Sequence, residues 1–167
     1  MNGEQEVAER FLSRLEYAAM RLQQHASGAP ARGLTDPDKP SGEQWEWGQV
    51  WAHLAEFVPY WMAQTSQVIG SASSDPAPFG RTKTDSERVA AIERDRNRPA
   101  LELWARLQDQ LGELRRFLED LPPQAWSKEG RHPTLGTMAV SQMVEEFLVG
   151  HLEEHASQLD GLAARGG

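Results

Sequence analysis

Residues 140–162 read VSQMVEEFLVGHLEEHASQLDGL, and the spacing of their apolar members decides the fold class. Val140, Met143, Val144, Phe147, Leu148, Leu152, Leu159 and Leu162 recur at the three- and four-residue intervals of one helix face. A helix starting near Thr137 accommodates them, and a stripe that long needs other helices to cover it. At about 100° per residue the same stripe takes in His151 and His155, while Glu153 and Glu154 turn to the side or to solvent.

The covering helices lie upstream. Val7, Ala8, Phe11, Leu12, Leu15, Ala18, Ala19 and Leu22 give a first amphipathic helix from Glu4 to about Gln24. SGAPARGLTDPDKPSG then reads as a long connection, and Ser41 with Gln44 suggests a capping box opening the second helix. That helix carries Val50, Trp51, Leu54, Phe57, Val58, Trp61, Met62, Val68 and Ile69; Pro59 should kink it without ending it, since the pattern continues in phase. After SASSDPAPFGRTK, Thr84 and Glu87 suggest a second capping box for a third helix over 85–121, broken near Asn97. Pro122-Pro123 stops it, and PPQAWSKEGRHPTLG leads to the last helix. No run alternates long enough to predict a strand. The reading is all-α: one domain over 1–167, a four-helix bundle with long crossover connections.

Composition narrows the chemistry. The chain has 167 residues and no cysteine, which excludes disulfides, thiolate metal sites and a cysteine nucleophile. A net charge of -8 repels phosphate backbones, and no basic cluster offsets it, so nucleic acid is not an expected partner. No apolar run reaches the ~20 residues of a membrane span, and no signal-peptide core is seen; the expected location is cytoplasmic.

Two histidines four residues apart on an apolar stripe are one helical turn from each other and able to reach one ion. His53, on the edge of the second helix's buried side, is the natural third. Three imidazoles with open positions match a catalytic metal site. Hydrogen-bonded core histidines are the competing explanation, and spacing alone leaves both open. The pair is not the H-E-x-x-H motif, because Leu152 follows His151. His25 and His132 read as ordinary exposed residues, and so does Glu56, unless it orients a ligand or a water. Trp51 and Phe57 stand near His53 as core residues or pocket walls.

WAHLAE around His53, HLEEHASQL with His151 and His155, and GRHPTLGTMAVSQMVEEFLVGH together resemble the DinB-like superfamily, also called DinB/YfiT-like metalloenzymes, over nearly the whole chain. The resemblance implies an up-up-down-down-like bundle with a long crossover. It also implies one divalent metal ion, zinc or nickel, on His53, His151 and His155. Members include transferases and isomerases that use mycothiol, bacillithiol or glutathione. The expected function is therefore a metal-dependent transferase that activates a low-molecular-weight thiol for attack on a small electrophile. The alternatives are a metal-dependent hydrolase and a non-catalytic metal-binding, stress-associated bundle. A small-molecule substrate and a second copy of the chain are the expected partners, with neither nucleic acid nor membrane.

Overall fold

The computed structural model describes residues 3–166. Helix α1 spans Gly3–Ala26 and α2 spans Trp47–Gly70. The two-residue strand β1 (Ala77–Pro78) precedes α3 (Ser86–Asp95) and α4 (Ala100–Asp120). Strands β2 (Glu129–His132) and β3 (Gly136–Ala139) then lead to the last helix, α5, over 140–165. Among the described residues no helix is long and apolar enough to cross a membrane.

The long helices α1, α2, α4 and α5 form the bundle. Helix α1 lies against α4 and α5, and α2 lies against the same two, so α1 and α2 are diagonal. Their directions follow from side-chain pairs. Arg14 meets Glu145 and Glu153 while Arg21 meets Asp160, so α1 and α5 run the same way. His53 meets His151 while Trp61 stacks on Phe147, so α2 opposes α5. Trp51 packs on Trp104 and the Gln110 amide donates to the Ala55 carbonyl, so α2 and α4 are parallel. The order is up-down-down-up, where the resemblance implied up-up-down-down. The long crossovers are as expected: 27–46 joins two diagonal helices, and the segment containing α3 joins two parallel ones.

Helix α2 is the centre of the molecule. It is buried on nearly all sides from Trp47 to Val58, as a helix apolar all round must be. Pro59 lies within it without ending it. Helices α3 and α4 part at Arg96–Pro99, where Pro99 cannot continue a hydrogen-bonded helix. Asp95 fastens that elbow, accepting from Arg94, Arg98 and Arg106.

Several local expectations are corrected. The α2 start is set by Glu46, whose backbone N–H donates to Gln49 Oε1, whereas Ser41 turns back to Asp38. The α3 cap is Asp85, accepting from the Arg88 N–H at 2.9 Å; Thr84 lies one residue too early. Among the described residues there are three strands, β1 parallel to β2 and β2 antiparallel to β3. At two to four residues each they are too short to show alternation in sequence. Because Gly136–Ala139 is strand, α5 begins at Val140 and not near Thr137.

Within α5, Val144–Val149 forms a π-helical turn. Gly150 makes it possible: a β-carbon there would collide with the Glu145 carbonyl oxygen. Such turns insert a residue into the helical register, so the face that carries Phe147 is re-aimed relative to the turn that carries His151 and His155.

Candidate metal centre

His53 from α2 and His151 and His155 from α5 converge, their ligand atoms all within 4.8 Å of one another. His53 and His155 are buried, each 3% exposed. His151 keeps 23% of its side chain exposed and marks the open side of the cluster. Among the described residues no other three histidine, aspartate or glutamate side chains come together in this way.

Each ring has its outer nitrogen engaged. His53 Nδ1 donates to Glu56 Oε1 at 2.8 Å, His151 Nδ1 to Glu154 Oε2 at 3.2 Å, and His155 Nδ1 to Gln158 Oε1 at 2.7 Å. A carboxylate oxygen and an amide oxygen only accept, so each Nδ1 must carry the hydrogen. A neutral imidazole has one such hydrogen, so in the neutral form of each ring Nε2 is bare. Yet His151 Nε2 lies 3.0 Å from the Nε2 of both His53 and His155. With all three rings neutral, lone pairs facing one another at that range repel unless a cation sits among them. The donor set fits a divalent ion: neutral nitrogens in front, oriented by hydrogen-bond acceptors behind.

The electrostatics agree. Burial, reinforced by the neighbouring imidazoles, holds His53 well below the ordinary histidine range. The same causes bring His155 down to about 3. Both rings are thus neutral near pH 7, the form in which imidazole ligates metal.

Aromatic rings enclose the cluster. Phe57 sits 4.6 Å from the His151 ring and 5.0 Å from the His53 ring, so it is a wall of the site. Trp51 is not; it packs on Trp47 and Trp104. The second wall is Trp45, 4.9 Å from His53 and stacked on His155 at 5.8 Å. Sequence reasoning missed it because Trp45 precedes α2. It is carried by the 27–46 connection, where Thr35 and Trp45 exchange hydrogen bonds.

Glu56 reads in sequence as a surface residue or as one that orients a ligand, and the structure puts it behind His53. Its side chain is 9% exposed, burial raises its carboxyl above the ordinary range, and Arg81 faces it. Glu154 and Gln158 are additions that the sequence reading did not place at the site. The signal was available: His53-x-x-Glu56, His151-x-x-Glu154 and His155-x-x-Gln158 repeat one spacing, which places an acceptor one helical turn after each imidazole. His132 is also corrected. It is buried, with Nδ1 accepting from the backbone of Thr134 and Leu135. His25 is half-buried and paired with Asp160 at 2.5 Å. Neither approaches the cluster.

The profile of the DinB superfamily matches residues 14–159. Among solved structures the chain is similar to YfiT from Bacillus subtilis, described as a probable metal-dependent hydrolase with an unusual four-helix bundle topology. That similarity has a TM-score of 0.71 at 18% identity, covering 99% of this chain and 89% of that one. It is also similar to the mycothiol-dependent maleylpyruvate isomerase, with a TM-score of 0.67 at 14% identity, over 95% of this chain and 63% of that one. At these identities the similarity establishes the fold alone. A comparison with curated proteins by sequence finds no match.

Proposed function

Starting from a chain that belongs to the DinB superfamily, we propose that it is a metal-dependent enzyme that joins a low-molecular-weight thiol to a small electrophile. The ion would be held by Nε2 of His53, His151 and His155. When bound, a divalent ion lowers the pKa of a coordinating thiol so that thiolate is available at neutral pH.

The chain's own residues do the rest. Glu56, Glu154 and Gln158 fix which nitrogen of each ring carries hydrogen. Phe57 and Trp45 exclude water from two sides, and the exposed edge of His151 leaves the approach for cosubstrate.

The observation that carries this reading is the commitment of the nearby carboxylates. Glu56 and Glu154 each direct one oxygen at an Nδ1 atom, on the far side of the rings from the Nε2 cluster, and Arg81 takes both oxygens of Glu56. Both carboxylates are thus turned toward the backs of the rings and away from the side the ion would occupy. A thiol, with a free pKa of about 8.5, needs no general base once a cation is beside it. The competing reading is metal-assisted hydrolysis.

The test is to load the protein with zinc or nickel and assay thiol disappearance with mycothiol, bacillithiol and glutathione against a generic electrophile. The proposal expects metal-dependent consumption of one of these thiols, abolished by His53→Ala. Hydrolysis of ester substrates without thiol, and no thiol consumption by the loaded protein, would overturn it.

A further inference from the structure

Arg81 belongs to no helix or strand; it lies in the segment between β1 and α3. Its side chain is nonetheless 8% exposed. The guanidinium lies 4.0 Å over the Tyr60 ring, and its Nη2 donates to both oxygens of Glu56, at 2.6 and 2.7 Å. The same Glu56 Oε1 accepts from His53 Nδ1. His53, Glu56 and Tyr60 follow one another at three and four residues along α2, so a residue from a distant segment lies lengthwise along their shared face.

The backbone carrying Arg81 is held firmly. Phe79 N donates to the Arg131 carbonyl at 3.1 Å, which ties the segment to β2. Gly80 N donates to Gln64 Oε1 at 2.7 Å, which ties it to α2. Gly80 has φ +91, and a β-carbon on it would fall 2.6 Å from His132 Cδ2. Glycine is required there twice, by the dihedral and by the contact. His132, immobilised in its turn by Thr134 and Leu135, is the surface on which this segment rests.

We infer that Arg81 is a positioning residue of the histidine cluster, acting through Glu56. A carboxylate on a helix can rotate about its side-chain bonds and present either oxygen to the ring. Nη2 holds both oxygens at once and so fixes Oε1 on His53. His53 then keeps its hydrogen on Nδ1 and its Nε2 lone pair turned toward α5. The clamp sits on the one member of the trio that comes from another helix, where ring orientation depends on tertiary contacts. His151 and His155 share a helix turn and receive their acceptors from that same helix.

The inference rests on the metal reading for its affinity consequence but not for its effect on the ring. The experiment therefore has two readouts. In metal-free protein, long-range 15N–1H correlation spectra report the His53 tautomer for wild type, Arg81→Met, Arg81→Lys, Glu56→Gln and the Glu56→Gln/Arg81→Met pair. In the same proteins, competition with a chromophoric chelator reports zinc affinity.

Wild type should show His53 protonated at Nδ1, and Arg81→Met a mixture of tautomers with affinity down about tenfold. Arg81→Lys should fall between them. In the Glu56→Gln background Arg81→Met should have little further effect, because the group it acts through is gone. An unchanged tautomer in Arg81→Met, or in Arg81→Lys should the first variant not fold, overturns the inference. So does an equal loss of affinity in both backgrounds. Failure of wild type to take up zinc would refute the metal reading, while the tautomer comparison still decides the role of Arg81.

Discussion

Metal-free protein taken from pH 7 to pH 5 should lose about 4 kcal/mol of unfolding free energy through two side chains. His132, which burial also lowers, adds a further contribution of the same sign. His53 and His155 are buried, with folded values held well below the ordinary range and at about 3. In the unfolded chain both titrate near 6.5. Between pH 7 and pH 5 the unfolded chain therefore takes up a proton at each position while the folded protein does not. Falling pH favours the unfolded state: the contribution is complete above about 6.5 and drains as pH drops toward the folded values. Integrated over the window, each imidazole accounts for about 2 kcal/mol. Glu56 acts the other way, since burial raises its carboxyl. The carboxylates held below their usual range, Glu145 and Glu154 among them, lose their contribution only at lower pH. The assay is urea unfolding followed by tryptophan fluorescence, in chelator, at half-unit pH steps. His155→Leu should remove a large part of the slope and the His53→Leu/His155→Leu pair most of it, with His132 supplying the remainder. A wild-type loss below about 1 kcal/mol, or a double variant that keeps the wild-type slope, would refute the reasoning.

Other perturbations have defined outcomes. Gly150→Ala forces a β-carbon into the Glu145 carbonyl. It should lower stability by about 1–3 kcal/mol in denaturant titration and weaken zinc binding by moving His151. Gln158→Leu removes the acceptor behind His155 and should weaken zinc binding about 10- to 100-fold in a chelator competition, with helix content by circular dichroism unchanged. Asp95→Ala releases three arginines at the α3–α4 elbow and should cost about 2 kcal/mol in thermal or urea unfolding, with zinc affinity retained.

The helices were legible because their apolar spacing is strong. The stripe of α5, the in-phase pattern across Pro59 and the break before Pro99 all place elements where the structure has them. Caps were misplaced by one to five residues because Ser41, Thr84, Asp85 and Glu46 are all chemically able to cap, and only tertiary position selects among them. The β segments escaped because two to four residues carry no period. Helix direction escaped because it depends on which faces pair across the bundle, as Arg14 with Glu145 does, and that is not a local property.

The convergence of His53 with His151 and His155 followed from stripe membership. Of the acceptors behind them only Glu56 came into view, as an alternative to a surface role, although one repeated spacing encodes all three. Glu56 reads as a surface residue because the arginine that makes its burial tolerable lies 25 positions away. Trp45 reads as part of a loop because its place depends on Thr35.

Metal content of the purified protein tests the central claim most directly. Elemental analysis of wild type, of His53→Ala, and of the His53→Ala/His151→Ala/His155→Ala variant should give about one divalent ion per chain, a marked loss, and none. Stoichiometric metal retained by the triple variant would contradict the account.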